Sequence, residues 1–178
     1  MTAASGTFIT PAQFNVHVRD NLLETEPAGA TTAGRIWCAD GPNQTSEHTV
    51  TSAAISTSQT TQSQEYTDLA TYGPSVTVRC NELIIIMTNC QIGNSVSNAS
   101  YASYEVASEE EGVFLNEPKA SRAIIQDGGA GRHNRTGSVA ALSGLPGPAR
   151  FKVAMKYRVS NSVSTGTFQK RRVIVMPL

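Results

Sequence analysis

The chain has 178 residues, a length that suits one domain with a small appendage. Lysine plus arginine equal aspartate plus glutamate at 14 each, so the formal net charge is zero. A neutral chain lacks the basic excess that favours nucleic acid and the charged tail that favours a membrane surface, so we expect neither partner. Charged residues make up 16% of the chain, and this composition favours many short strands and turns over a helical bundle.

Membrane and targeting segments are not predicted. The longest apolar run, residues 83–87, is far too short to span a bilayer. The N-terminal sequence MTAASGTFIT has neither the basic n-region nor the apolar h-region of a secretory signal, so we expect none.

The one helical signal lies at residues 7–25. Thr10 is a good N-cap residue, and Pro11 fits the first helical position. Gln13 completes a capping box of the Thr-x-x-Gln kind. Pro27 ends the helix, so residues 1–27 are predicted as an N-terminal attachment helix.

Two apolar stripes run along opposite sides of this predicted helix. Phe14, Val18 and Leu22 form one stripe at i, i+4 and i+8. Val16 and Leu23, seven residues apart, form the second. A lone surface helix needs one stripe, so two stripes favour a helix held by its own domain and by a neighbouring chain. A helix packed wholly on its own sheet is the alternative. The five residues are our candidate attachment and oligomer contacts.

Residues 28–65 are predicted as a linker or edge segment. Their serine, threonine and glutamine content is typical of a flexible connection. Val50, Ala54 and Ile55 could still pack as edge-strand residues. The β domain is therefore set at residues 66–178.

Strand signals strengthen from residue 66. Residues 75–80 alternate, with Val76 and Val78 inward, and residues 101–107 alternate again. Residues 83–92 are apolar on both faces, the pattern of a central strand covered on both sides. A second subunit or the N-terminal helix could cover the second apolar face of this strand. We therefore expect a homotrimer.

The C-terminal stretch organises the predicted fold. Apolar residues occupy every second position from Phe151 to Val159, and a second apolar strand runs from Phe168 to Met176. A polar link joins the two, which predicts a β-hairpin. Seven or eight strands with a turn signal about every 10 residues predict a mainly β fold. The predicted fold is an antiparallel β-sandwich, jelly-roll-like, with a short N-terminal α-helix.

The three cysteines, Cys38, Cys80 and Cys90, are predicted to be reduced. If Asn81 and Glu82 form a hairpin turn, Cys80 faces Leu83 and Cys90 lies far along the sheet. A disulfide needs Cα atoms within about 7 Å, which that register forbids.

Patterns of catalytic or metal-binding residues are missing from the sequence. His17, His48 and His133 have no ligand spacing between them or with a cysteine, which argues against zinc. The Gly-rich stretch at 127–136 lacks the Lys-Ser/Thr of a P-loop. An acidic run at 109–111 is interpreted as a solvated loop. We therefore predict no catalytic residue, no metal and no cofactor, and a protein that is not an enzyme.

Polar loops are the remaining candidates for recognition. The longest lie at 93–100, 109–118 and 127–136, and loops on a β scaffold often carry binding residues. Arg132, His133 and Arg135 give the last of them donors and positive charge, so we select them as a candidate exposed recognition loop. Solvated turns are the alternative interpretation.

Residues 8–22, FITPAQFNVHVRDNL, resemble the start of many tailed-bacteriophage virion proteins, in which a capped helix carries an Asn-x-x-Val-Arg-Asp-Asn-Leu run. The matching residues are Asn15, Val18, Arg19, Asp20, Asn21 and Leu22. The C-terminal part is similar to the β-sandwich domains that follow that helix. This second similarity rests on Asp68-Leu69, Gly73-Pro74, the run Lys156-Tyr157-Arg158-Val159 and the ending VIVMPL at 173–178.

The resemblance implies a non-enzymatic virion component of the minor tail or fibre kind, or a protein that decorates the head. Such proteins are often trimeric. Other virion proteins of the tail or capsid, and the host cell surface, are the implied partners. Assembly in the bacterial host cytoplasm agrees with reduced cysteines. A carbohydrate-binding β-sandwich module is a third, less favoured hypothesis.

Overall fold

The computed structural model of the chain describes residues 10–14, 32–41, 44–127 and 129–178. It begins with one helical turn, α1, at Pro11–Phe14. The backbone N–H of Thr10 donates to Oε1 of Gln13 at 3.0 Å, and the backbone N–H of Gln13 donates to Oγ1 of Thr10 at 3.2 Å. This reciprocal pair confirms the predicted capping box. The predicted apolar stripes lie outside the described residues. They comprise Val16, Val18, Leu22, Leu23 and the side chain of Phe14.

The chain divides into two compact units, Met1–Glu47 and His48–Leu178. In the first unit, strand β1 (Ile36–Gly41) pairs with β2 (Gln44–His48) in a two-stranded sheet. The second unit begins at His48, whereas the sequence analysis set the start of the β domain at residue 66. The difference arises because residues 51–61 supply edge strands, although their composition is that of a linker.

Five antiparallel strands form sheet I. They are β3 (Thr51–Ile55), β4 (Gln59–Thr61), β6 (Leu83–Asn94), β10 (His133–Ser143) and β12 (Gly166–Pro177). The order is β10-β6-β12-β3, and β4 follows β3 along the same edge of β12. The long apolar strand β6 is therefore central, as its sequence predicted.

Five further antiparallel strands form sheet II. They are β5 (Ser75–Cys80), β7 (Ser100–Ser108), β8 (Phe114–Asn116), β9 (Ile124–Gln126) and β11 (Ala149–Val159). The order is β5-β11-β7, and β8 and β9 pair with the other edge of β7. A short 3-10 turn at Ala120–Arg122 lies between β8 and β9. The chain is thus mainly β, with two antiparallel sheets in its second unit.

The core lies between the inner faces of sheets I and II. Alternate residues of β6, such as Ile84 and Ile86, are fully buried and share one apolar cluster with Phe151 and Val153 of β11. Across the two sheets, the rings of Tyr157 and Phe168 lie 4.9 Å apart at an angle of 56°. Period-two alternation thus gives the central strands β6, β7, β11 and β12 one buried face, as the sequence indicated.

The predicted C-terminal hairpin is wrong in its pairing. Strand β11 belongs to sheet II and β12 to sheet I, so the link at 160–165 carries the chain from one layer to the other. The supposed hairpin turn at Asn81-Glu82 likewise joins β5 of sheet II to β6 of sheet I. Two strands show the same alternation of apolar and polar residues whether they pair in one sheet or lie in two sheets. When they lie in two sheets, the apolar face of each strand packs against the apolar face of the other.

Replacing Phe168 by alanine should destabilise the second unit strongly. The ring is fully buried and contacts Tyr157 of the opposite sheet, so its removal should lower the free energy of unfolding by about 3–5 kcal/mol. Urea unfolding followed by circular dichroism measures the change. The control is Ile125→Ala, since Ile125 is 46% exposed and its truncation should cost at most about 0.5 kcal/mol. Similar losses from both variants would contradict the packing described.

Candidate functional site

The outward face of sheet II carries tyrosines and cations that stack on one another. The guanidinium of Arg158 lies 4.3 Å from the ring centre of Tyr101 and 5.1 Å from that of Tyr66. The ammonium of Lys152 lies 4.6 Å from the ring centre of Tyr72. These distances are in the cation–π range, so cations of the same chain already contact these aromatic rings.

Lys156, also on this face, is paired with two carboxylates. Its Nζ lies 2.8 Å from Asp68 Oδ2 and 3.1 Å from Glu105 Oε1. Burial by itself lowers the pKa of Lys156, but the hydrogen bonds and charges of the two carboxylates outweigh it and raise the pKa. The outward face of sheet II therefore neutralises much of its own charge.

The outward face of sheet I is different, because two of its cross-strand rows are apolar on β10, β6 and β12, although Ser52 of β3 lies opposite Ile174. Residues directly opposite each other on paired strands share a face, so the register identifies the rows. Val139, Met87 and Ile174 form one row, and Ala141, Ile85 and Met176 form the next. We call these six residues the apolar rows.

Exposure shows that the apolar rows lie at the surface. Val139 is 70% exposed, and Met87, Ile85, Ile174 and Met176 are half-buried. Contiguous apolar patches on a monomer surface commonly mark a protein–protein contact. The double-sided apolar pattern at residues 83–87 thus corresponds to one core face and one surface face of β6.

Cations occupy the same outward face beyond the apolar rows. Arg172 lies opposite Asn89, and Arg135 lies opposite Gln91. Arg135 Nε donates to Asn89 Oδ1 at 3.0 Å. A shallow depression of about 200 Å³ lies here, lined by Ala54, Ile55, Ser56, Arg135, Lys170, Arg171 and Arg172. None of the five strands of sheet I contains an acidic residue, so this cationic end keeps its positive charge.

A β-bulge in β12 places three consecutive cations around the depression. The pairing with β6 shifts register between Gln169 and Arg172, and Lys170 has a φ of 50°. Positive φ is uncommon for a residue other than glycine, and a bulge redirects the side chains that follow it. As a result Arg171 is fully buried, whereas Lys170 and Arg172 are exposed.

Arg171 is a buried charge held by neutral groups. Its guanidinium donates to the carbonyl of Gly73 at 3.2 Å and to Oε1 of Gln59 at 2.9 Å, and it lies 5.4 Å from the ring centre of Tyr157. Among the described residues, no carboxylate forms an ion pair with it. A buried charge is usually paired with an opposite charge, whereas Arg171 is held by neutral acceptors and an aromatic ring.

The predicted recognition loop is in part a strand. Strand β10 begins at His133, so His133 and Arg135 lie on a strand and Arg132 lies in the turn before it. Gly93 faces the His133 imidazole so closely that a Cβ there would clash with Nδ1. Arg135 lines the depression with Lys170 and Arg172. The sequence pattern pointed to Arg135 but did not connect it with the charged run at 170–172.

The acidic run at 109–111 lies in the turn after β7. Glu109 forms an ion pair with Arg150, with 2.8 Å between Oε2 and Nε. Among the described residues, no group of three or more histidine, cysteine, aspartate and glutamate side chains is placed to hold a metal ion. No helix in the described part of the chain has the length and apolarity needed to cross a membrane.

All three cysteines are buried, and none of them forms a disulfide within the described residues. Burial raises the pKa of the Cys80 thiol to about 11. Burial also raises the pKa of the Cys90 thiol to about 12, although the charge of Arg171 opposes the shift. Two of the three thiols are therefore held in the neutral form that is a poor nucleophile.

The comparisons with known proteins are distant. No protein-family model and no curated protein matches the sequence. The structure of infectious bursal disease virus Gx strain overlaps with a TM-score of 0.44 at 11% identity, over 78% of this chain and 35% of that chain. The CBM22-1 xylan-binding domain of Paenibacillus barcinonensis Xyn10C overlaps with a TM-score of 0.35 at 11% identity, over 84% of this chain and 86% of that domain. This chain spans about a third of the viral chain. At these scores neither overlap identifies a function.

The buried thiols should resist modification and make stability depend on pH. At pH 8, Cys80 and Cys90 should react with a maleimide far more slowly in the folded protein than in urea, as counted by mass spectrometry.

The ordinary pKa of these thiols is 9.0, so the unfolded chain loses its thiol protons before the folded chain does. The free energy of unfolding should therefore fall as the pH rises above about 9. Rapid labelling of either thiol in the folded protein would contradict the burial.

Proposed function

We propose that this chain is a non-enzymatic structural component of a tailed-bacteriophage particle. Within that class we favour a tail-associated fibre or tip protein, attached through its N-terminal helix and exposing its β-sandwich. The observation that carries the proposal is the surface position of the apolar rows. The resemblance of residues 8–22 to the start of phage virion proteins is the reason for proposing a tailed-bacteriophage particle.

The apolar rows favour a role in assembly. Burying the apolar rows against a partner would stabilise the complex by about 25 cal/mol for each Å² of apolar surface removed from water. A cationic rim next to an apolar centre is also a usual arrangement for a protein contact, in which charge sets orientation and apolar burial supplies affinity. The proposed assembly is a homotrimer that also contacts other virion proteins.

A capsid decoration protein on the phage head is the alternative function. The same apolar rows would serve it, because a decoration protein also docks on neighbouring subunits. A sugar-binding module needs an open aromatic ring, and Tyr66, Tyr72 and Tyr101 each have a cation stacked on them. The geometry therefore favours assembly over carbohydrate binding.

The proposed location is the virion, after assembly in the bacterial host cytoplasm. Three buried cysteines that form no disulfide in the described part of the chain support folding in a reducing compartment, since disulfides form and persist in oxidising ones. The loops and turns of the sandwich would then face outward, where Arg132 and His133 are exposed to a host surface.

Labelling the protein in purified particles tests the proposed function. We expect electron microscopy with an antibody to place it at the tail, and quantitative mass spectrometry to count a handful of copies per particle. Hundreds of copies on the head would support the decoration alternative instead. Particles that lack the protein would contradict both forms of the proposal.

The oligomeric state is a second test. Light scattering at micromolar concentration should give a mass of about 57 kDa, three times the chain mass of 18.9 kDa. The physical reason is that association removes the apolar rows from water. A stable monomer under these conditions would argue against self-assembly.

A further inference from the structure

Three exposed cations surround the depression on the outward face of sheet I. Arg135 lies on β10, Arg172 lies on β12, and Lys170 lies at the bulge of β12. Within the described ranges, none of the three forms an ion pair. Like charges around one small depression repel each other, and an anion bound between them relieves that repulsion. The depression therefore favours a negatively charged ligand.

Side-chain hydrogen bonds position Arg135 beside the depression. Nδ2 of Asn89 donates to the carbonyl oxygen of Thr136 at 3.1 Å, and Oδ1 of the same amide accepts from Nε of Arg135 at 3.0 Å. The amide is thus oriented at both of its ends. Because Nε is one of several donors of a guanidinium, the terminal nitrogens of Arg135 remain for a ligand. An arginine held in this way loses less side-chain freedom when it binds an anion.

The bulge in β12 positions the other two cations. The buried guanidinium of Arg171 donates to the carbonyl of Gly73 and to Oε1 of Gln59, which ties the backbone between Lys170 and Arg172 to the interior. Lys170 has a φ of 50°, a conformation that is costly for a lysine and that glycine would adopt freely. Strained positions of this kind cluster at binding sites, so the lysine here favours a role in binding.

Small residues leave the depression open. Gly137 lies opposite Asn89 on one side of β6, and Ala54 lies opposite Arg172 on the other edge of β12. Neither residue has a side chain long enough to cover the guanidinium of Arg172. A ligand can therefore reach the cations from solvent.

The size of the depression limits the ligand to one small group. Its volume of about 200 Å³ is below the roughly 300–1,000 Å³ of pockets that enclose a drug-sized molecule. A guanidinium matches the geometry of a carboxylate and of a phosphate equally well. Size and shape alone thus leave these two groups as candidates.

Charge decides between the two groups. A phosphate monoester carries a charge of about −1.5 to −2 at pH 7 and offers three acceptor oxygens. A carboxylate carries a single charge and offers two oxygens. Three unpaired cations therefore favour the phosphate monoester, which neutralises more of their charge.

We propose that the depression bounded by Arg135, Lys170 and Arg172 binds a phosphate monoester. The two guanidinium groups donate hydrogen bonds to the phosphate oxygens, and the ammonium of Lys170 supplies the third positive charge. All three residues belong to sheet I of one chain, so each copy has a complete site. The site requires neither the proposed trimer nor a position in a virion.

Titration of the full-length chain with methyl phosphate, followed by backbone amide NMR shifts, tests the site. The shifts should saturate and should be centred on Lys170 and Arg172. Arg135→Gln and Arg172→Gln should each weaken binding about tenfold or more, because each removes a charge-assisted hydrogen bond. Arg79→Gln is the matched control, since Arg79 is exposed on sheet II, and it should bind as tightly as the parent chain.

Lys170→Gly separates binding from folding. Glycine adopts a φ of 50° without strain, so the melting temperature should equal or exceed that of the parent chain. Binding of methyl phosphate should nevertheless weaken, because a cation is lost. Dimethyl phosphate carries a single charge and should bind the parent chain more weakly than methyl phosphate does.

A vesicle arm distinguishes a soluble phosphate from a lipid headgroup. Flotation uses phosphatidylcholine vesicles with and without phosphatidic acid, whose headgroup is a phosphate monoester. Val139 is 70% exposed in the apolar rows beside the depression, so Val139→Glu should reduce binding to a lipid but not to methyl phosphate. Binding of methyl phosphate alone supports a soluble source, and binding of both ligands supports a lipid.

Three outcomes would overturn the inference. They are no saturable binding of methyl phosphate, unchanged binding in the Arg135→Gln, Arg172→Gln and Lys170→Gly variants, and a loss in Arg79→Gln equal to that in Arg172→Gln. Each is measured on the isolated chain, so the result is independent of where the protein lies in a particle.

Discussion

The carbonyl oxygen of Gly73 joins three parts of the β unit. It accepts a hydrogen bond from the hydroxyl of Tyr157 at 2.9 Å and from the guanidinium of Arg171 at 3.2 Å. Tyr157 belongs to sheet II, Arg171 to sheet I, and Gly73 to the segment before β5. Phe168 packs on the Tyr157 ring beside this junction. Because the guanidinium is bound inside, the bulge at Lys170 is fixed, and the bulge in turn holds Arg172 on the outward face.

The same junction separates the two outward faces of the sandwich. Sheet II pairs its cations with carboxylates and tyrosines of its own surface, as Lys156 and Arg158 show. Sheet I has no acidic residue on its strands, and at its cationic end Arg135 donates to the neutral Asn89. A chain of zero net charge thus has one satisfied face and one with positive charge available to a partner. Net charge alone conceals this asymmetry.

Local patterns predicted local structure well. The alternation at 75–80 gave strand β5 with its observed bounds. The alternation at 101–107 put Ala102, Tyr104 and Val106 on one face, and the structure shows that this is the buried face of β7. The capping box of Thr10 and Gln13 was also predicted, because it depends on residues three apart.

Long-range relations were harder to predict. The assignment of β11 and β12 to different sheets depends on which strands pair, and alternation is the same for either choice. For the candidate site, Arg135 was selected from its loop-like surroundings, although it lies on a strand beside Arg172. That proximity is set by the register of three strands and by a bulge, and a single strand's sequence contains neither.

The burial of the thiols affects the chemical durability of the folded chain. In oxidising surroundings, exposed thiolates form sulfenic acids and mixed disulfides. Cys38, Cys80 and Cys90 are all buried, and Cys80 and Cys90 remain protonated far above neutral pH. Burial therefore shields these thiols from oxidants in solution, a form of chemical durability that comes from packing alone.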